Sequence, residues 1–234
     1  MRIWVARPEP GAARTAERLR ALGHRPLVAP VLVVMATEAP RPSGAFDGVL
    51  ITSGQSAGML AGSGLAADVP VFAVGGRTAD AARAAGIARV IAAEGDAEAL
   101  ARRVQASLPT GASLLHIAGA DRKAEPGASL GAAGYRVIVW EAYAARPVDM
   151  LPLAVAEALR DRSLAAALHF SRRSTATTLQ LAQTAGLDGA FRMVEHYCLS
   201  ADVAVPLVEA GLVAHFVAAR PSEEALLAGL PHPA

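Results

Sequence analysis

Val49–Gly58 reads VLITSGQSAG, and Ala167–Ala176 reads ALHFSRRSTA. Each is a short apolar run that breaks into small and hydroxyl residues, the mark of a buried strand handing over to a loop. One such junction is ordinary. Two in nearly the same wording, one in each half of a 234-residue chain, predict a repeated architecture.

Working outward, RIWVARPE reads as a buried strand with its loop, and GAARTAERLRALGH as a helix closed by Gly23. RPLVAPVLVVMA follows as an extended segment, and FDGVLITS as a strand that stops at Gly54. VPVFAVGG, ARVIAAE, SLLHIAG, YRVIVWEAY, EHYCLS and LVAHFVAA read as further strands. Between them stand helices that end at Gly86, Gly134 and Gly211, one capped by Asp96, the helix STATTLQLAQTAG, and a last one capped by Ser222. Glu223 and Glu224 lie in the first turn of that last helix, where its dipole favours acids. Strands alternating with helices of this length predict parallel sheets built from βαβ units. Matching loop residues, Ser53 with Ser171 and Gly86 with Gly211, predict two similar α/β domains from an internal duplication. Patterning alone divides the chain near residue 111.

Composition restricts what such a fold can do. Alanine dominates a chain that is 53% hydrophobic and only 4% aromatic, which suits small, closely packed helices and strands. A formal charge of +1 supplies no global field for nucleic acid or membrane, so an acidic ligand has to be met by a local cluster. The opening MRIWVARPEP lacks the long apolar region of a signal peptide, and LVAPVLVVMA is too short to span a bilayer and carries a proline. A cytoplasmic protein with no nucleic-acid or membrane partner is expected. Cys198 is single, so neither a disulfide framework nor a thiolate zinc site is expected.

Several chemistries find no support. The six histidines (His24, His116, His169, His196, His215 and His232) show no HxxxH or HxxE spacing, so no metal is expected. His116 and His169, near strand ends, read as packing or orienting groups. Thr52-Ser53-Gly54 lacks the leading glycine of a nucleophile elbow. Gly62-Ser63-Gly64 lacks the third glycine of a dinucleotide fingerprint, which disfavours a nucleotide-dependent transferase. Lys123, the only lysine among 22 basic residues, follows no phosphate loop. No pair of carboxylates sits at two strand ends for acid and base work.

Hydroxyls, loop amides, arginines and one tyrosine remain. In open parallel sheets, ligands bind beyond the carboxyl ends of the strands. There stand Arg7, Thr52-Ser53, Gly75 to Thr78, Gly119 to Lys123, Ser171 to Ser174 and Ser200 to Asp202. Ser53, Thr78, Ser171 and Ser174 each read alone as an N-cap. Taken with the amides at helix starts, they make a carboxylate-binding surface. Arg77, Arg122, Lys123, Arg172 and Arg173 add charge, and arginine's planar fork suits bidentate carboxylate contacts. The ligand this describes is a large polyanion gripped at many points in a cleft, with the two opening loops as its walls. Tyr143, in VIVWEAYAARPV, reads either as an amphipathic junction residue or as a phenol facing that cleft, able to donate a proton.

At these residues the sequence resembles the uroporphyrinogen-III synthase family over nearly its whole length. Arg7-Pro8 follows the first strand, and Pro30-Val31-Leu32 follows the first helix. Thr52-Ser53 resembles the family's "TS" turn and Val74-Gly75-Gly76-Arg77-Thr78-Ala79 its "VGxxTA" stretch. Gly119 with Arg122 resembles the "G…R" loop, and Tyr143 the tyrosine of "VY.T". Phe170-Ser171 answers the second "TS" turn, and the stretch from Pro221 to Leu226 the final helix. Three departures stand out: Leu199 to Ala204 replaces "IGxTTA" and gains Asp202, Arg172-Arg173 replaces small residues or proline, and Ala144 replaces a threonine.

The resemblance implies two α/β domains, residues 1–36 plus 146–234 and residues 37–145, joined by two extended linkers with the active-site cleft between them. It implies cyclising dehydration of the linear tetrapyrrole hydroxymethylbilane to uroporphyrinogen III, with inversion of the last pyrrole ring through a spiro intermediate. Tyr143 is then the catalytic acid. Substrate contacts fall to Arg7, Thr52, Ser53, Gly76, Arg77, Thr78, Gly119, Arg122, Ser171, Arg172 and Ser200. A monomer that needs no metal or other cofactor is expected. The alternative is a non-catalytic two-domain sensor or binding module for an acidic, tetrapyrrole-like ligand.

Overall fold

The computed structural model describes residues 1–60, 64 and 68–231. Gly62, Ser63 and His232, read above, lie outside them. In chain order the elements begin β1 (Arg2–Val5), α1 (Gly11–Ala21), β2 (Arg25–Val28), β3 (Leu32–Ala36), β4 (Gly48–Ile51) and α2 (Gly54–Leu60). Next come β5 (Val71–Ala73), α3 (Gly76–Ala84), β6 (Val90–Ala92), α4 (Ala97–Gln105), β7 (Ser113–Gly119), α5 (Gly127–Ala132) and β8 (Arg136–Pro147). The chain closes with α6 (Leu153–Arg160), β9 (Ala166–His169), α7 (Arg172–Thr184), α8 (Asp188–Arg192), β10 (Glu195–Cys198), α9 (Ala201–Glu209), β11 (Phe216–Val217) and α10 (Glu223–Leu227).

These elements form two compact units: unit 1 is Met1–Val33 with Arg146–Ala234, and unit 2 is Val34–Ala145. The sheet of unit 1 has the order β2-β1-β9-β10-β11, with every neighbouring pair parallel. In unit 2 the parallel order is β8-β7-β4-β5-β6, and β3 adds an outer strand beside β8. The central strands β4 and β9 are buried at every residue, as expected of a parallel sheet covered on both faces.

Residue alternation fills both faces of each sheet. In unit 2, Val49, Ile51, Leu115 and Ile117 pack on one face against Ala57, Ala79 and Ala82 of α2 and α3. Leu50, Phe72 and Leu114 take the other face with Leu100, Val104 and Leu130 of α4 and α5. Each fully buried leucine or isoleucine contributes roughly 1.5–3 kcal/mol. In unit 1, Ile3, Val5 and Leu168 meet Leu19, Leu226 and Leu227. Trp4 is fully buried, its Nε1 donating to the Ala29 carbonyl at 2.8 Å and its ring meeting Phe191 edge-on at 6.2 Å. Helix α7 buries Thr175, Thr177 and Thr178 because each hydroxyl returns its proton to a carbonyl of its own helix or cap, at 3.0, 2.9 and 2.7 Å.

The caps read from the sequence are in place. Asp96 accepts from the Ala99 amide at 2.9 Å, and Ser222 from the Ala225 amide at 3.1 Å. Gly86 and Gly211 both hold left-handed backbone, φ 88° and 67°, which lets each close the helix before it. Three helices, α2, α6 and α8, escape the periodicity. In α2, GQSAGML offers one large apolar pair and two glycines, and α8 spans only 5 residues. The strand expected from LVAHFVAA shrinks to Phe216–Val217 at the sheet edge.

Candidate active site

In a parallel sheet of this order the crevice opens where neighbouring connections run off in opposite directions, which in unit 2 is between β7 and β4. A cavity of about 470 Å³ lies there, lined by Thr52, Ser53, His116, Gly119, Arg122 and Tyr143, with Lys123 and two acids at its edge. Two other cavities in unit 1, about 450 and 460 Å³, are as large; one includes Arg18, His24 and Glu224 and the other Arg160 and Arg162, and neither lies at the carboxyl ends of the strands. Size does not single out the site; its place at the carboxyl ends of the strands does.

Tyr143 reaches this place through an irregularity in the sheet. The register pairs Ala118 with Glu141 but Gly119 with Tyr143, so a bulge carries the tyrosine, in place of Ala142, opposite Gly119. The ring then lies so close over Gly119 that a Cβ there would stand 2.8 Å from Cε2 and 3.3 Å from Cζ. Only glycine fits beneath it. The phenol contacts Ser56 Oγ at 3.4 Å, while Ser56 donates its own proton to the Ile117 carbonyl at 2.8 Å. Ser56 therefore receives from the phenol weakly and anchors its direction. Gly119→Ala is expected to swing the ring aside and, should Tyr143 act as an acid, to lower kcat up to about 10²-fold, the scale of a ~1 Å misplacement. Steady-state kinetics beside a thermal melt will check it, since the unfolding midpoint should move little.

Of the two cations of the lining, one has an ion pair among the described residues and the other has none. Arg122 Nη1 lies 2.5 Å from Glu141 Oε1, both side chains partly exposed. Lys123 is exposed and has no ion pair among the described residues. His116 is buried yet lines the cavity, and its Nε2 has no hydrogen-bond partner. Burial, and then the charge of Arg122, hold its pKa down at about 4. Gly76, Arg77 and Thr78 are not among the cavity's lining: they open α3, with Gly76 and Arg77 exposed and Thr78 buried as the helix's third residue. Thr78 is not an N-cap, because Gly75 holds that position. Ser53 does receive an amide, from Gln55 at 3.2 Å.

The corresponding place in unit 1, between β1 and β9, is furnished differently. Arg7, after β1, lies 4.2 Å over the ring of Phe170, after β9. Glu223 Oε2 stands 3.7 Å from Arg7 and 3.4 Å from Arg18, and Glu223 Oε1 accepts from Thr15 at 2.5 Å. Gly11 leaves room for the guanidinium, since a Cβ there would be 2.6 Å from Arg7 Nε. Ser171 caps α7 by accepting from the Ser174 amide at 3.2 Å, and Ser200 caps α9 by accepting from Val203 at 3.4 Å. Two of the departures noted above meet one another: Arg172 faces Asp202 at 3.7 Å and Glu209 at 3.8 Å. Beneath this edge His169 Nε2 and His196 Nδ1 are 3.1 Å apart, and burial keeps both imidazoles neutral by depressing their pKa values. Among the described residues no group of three or more potential ligands could hold a metal ion, and no helix is long and apolar enough to cross a membrane.

His116, read from the sequence as a packing or orienting group, lines the cavity, as does Glu125, which the sequence did not place there. A lone histidine inside the apolar strand SLLHIAG was the only signal for His116.

The strand order and the polar lining at the switch point define a parallel α/β protein with a ligand cavity at the carboxyl edge of its strands. Its fold is similar to that of uroporphyrinogen-III synthetase from Helicobacter pylori, at 14% identity, with 97% of this chain and 96% of that chain covered and a TM-score of 0.65. It is also similar to a mutant uroporphyrinogen III synthase from Thermus thermophilus, at 20% identity, with 98% and 96% covered and a TM-score of 0.51. Comparison with curated protein sequences gives no match. The family described as uroporphyrinogen-III synthase HemD matches residues 13–228, and the chain belongs to that family.

Proposed function

We propose that the protein closes hydroxymethylbilane to uroporphyrinogen III, with Tyr143 as the acid, and that it does so without metal or nucleotide. The observation that carries this reading is the family match over residues 13–228, falling on a chain whose Tyr143, Thr52, Ser53 and Arg122 line one cavity. The bilane closes readily by itself to the uninverted isomer, so the enzyme's main task is conformational. Holding the chain so that the substituted carbon of the last pyrrole meets the cation is an orientation effect that can be worth roughly 7–11 kcal/mol. The phenol of Tyr143 assists the hydroxyl to leave as water. Lys123, Arg122 and the Thr52 and Ser53 hydroxyls receive acetate and propionate groups of the substrate, and we assign further carboxylate contacts to Gly76, Arg77, Thr78, Arg7, Ser171, Arg172 and Ser200. The cytoplasm and a monomeric state complete the proposal. With the outer strand β3 left aside, both sheets run one strand pair to one side of the switch point (β1 to β2, β7 to β8) and three strands to the other (β9 to β11, β4 to β6), a shared pattern that supports an internal duplication.

The test is the product isomer formed from hydroxymethylbilane by protein dialysed against EDTA. Uroporphyrinogen III is expected, at a rate that added divalent metal leaves unchanged. Formation of the uninverted isomer alone, at the spontaneous rate, would favour a sensor or binding module. Activity restored only by a metal would overturn the cofactor assignment.

A further inference from the structure

We propose that His116 is the base that removes the last proton of the reaction. The inference rests on the function proposed above and on one piece of its chemistry not yet assigned. Ring closure has to expel the hydroxyl of the bilane and also the hydrogen on the free α-carbon of its last pyrrole, the two leaving together as one water overall. The first step needs an acid, which is Tyr143. The final step needs an acceptor: once that α-carbon has bonded to its new partner it still carries its hydrogen, and the ring is cationic. Breaking this C–H bond returns its electron pair to the pyrrole and passes the proton to the base. From there the proton restores the phenol, so each turnover ends with both groups as they began.

Two observations point to His116. The residue is among those that line the cavity holding Tyr143, although only 2% of its surface is exposed. Its Nε2 is buried with no hydrogen-bond partner. An unpaired buried polar atom is costly, so a ring nitrogen kept unpaired in a residue that lines the same cavity as Tyr143 calls for an explanation that packing does not supply. His169 and His196 also carry unpartnered buried ring nitrogens, but they line none of the three cavities described and contact each other instead. The two carboxylates of the lining are placed otherwise: Glu125 accepts from the Ser129 amide at 3.2 Å, and Asp121 is exposed.

The strength of the base suits the task. A cationic pyrrole with a tetrahedral carbon gains aromaticity on losing its proton, so a weak base suffices. Burial and Arg122 keep the imidazole neutral, and hence able to accept, throughout the neutral range.

The experiment uses hydroxymethylbilane carrying deuterium at the free α-carbon of its last pyrrole. In His116→Gln, kcat is expected to fall about 10²-fold, and the isotope effect to rise well above the wild-type value because C–H cleavage becomes limiting. A His116→Gln protein with wild-type kcat, or one slowed without any rise in the isotope effect, overturns the assignment. Should that variant not fold, the wild-type protein decides. The ¹⁵N signals of the His116 ring should shift saturably with a linear bilane lacking the hydroxymethyl group, and an unmoved ring overturns the proposal. A wild-type protein that forms no uroporphyrinogen III removes the function and this role together. One that does, with an unaffected His116→Gln variant, removes the role alone.

Discussion

Replacing Tyr143 by phenylalanine is expected to lower kcat about 10²-fold or more, the range of a well-placed general acid. The variant keeps the ring over Gly119 and its packing against the core of unit 2. It loses only the hydroxyl and the 3.4 Å contact with Ser56, whose proton is already directed to Ile117. No buried donor is stranded, so stability should change by roughly 1 kcal/mol. The informative readout is the product. As the enzymatic rate falls, spontaneous closure takes over and the uninverted isomer accumulates. A Tyr143→Phe protein that stays folded, fast and isomer-selective would reduce the tyrosine to a packing residue and leave orientation to carry the catalysis alone.

Acid is expected to weaken unit 1 about twice as steeply as unit 2. Burial lowers the pKa values of His169 and His196 in unit 1, and of His116, to about 4, in unit 2. Below about pH 6.5 an unfolded histidine takes up a proton that the folded one refuses. The unfolded state then binds more protons, so stability is complete above that pH and falls as pH falls. Each histidine contributes a slope of about 1.4 kcal/mol per pH unit, and the decline in unit 2 continues to about pH 4. Between about pH 6.5 and pH 5 this amounts to roughly 2 kcal/mol for unit 2 and roughly 4 kcal/mol for unit 1, a large part of ordinary domain stability. Urea unfolding across that range, followed by Trp4 fluorescence for unit 1 and Trp140 for unit 2, measures both slopes. His169→Asn should about halve the first and leave the second alone. Midpoints that do not move with pH would contradict the neutral state of these rings.

The features legible in the sequence are those set by neighbours along the chain. Asp96 and Ser222 cap their helices through amides three residues away, and Gly86 and Gly211 stop theirs by local backbone geometry. Alternating strands and helices sufficed for parallel sheets. Helices α6 and α8 needed tertiary packing to be seen, because short segments form only when neighbouring elements cover them. The site was legible in its residue types and not in its distances. Thr52, Ser53, Arg122 and Tyr143 line the cavity, but the bulge that sets Tyr143 over Gly119 leaves no mark in the strand pattern. Arg7 read as a ligand contact; its position against Phe170 and Glu223 depends on residues far along the chain. Arg172 and Asp202 looked like separate departures, and the fold places them 3.7 Å apart.

The divided course of unit 1 bears on how the protein is made. Ile3 of β1 pairs with Pro26 on one side and with Ala166 on the other. Unit 2 is one uninterrupted run, Val34–Ala145. About 140 residues separate β2 from β9, which a ribosome adds in roughly 7–30 s at ordinary elongation rates. That is longer than most small sheets take to assemble. Unit 2 can therefore be finished while β1, α1 and β2 still wait, with Ile3, Trp4 and Val5 facing a missing neighbour. β1, α1 and β2 are synthesised before unit 2 and covered after it, so these three segments stay open to chaperones and to aggregation while unit 2 is already closed.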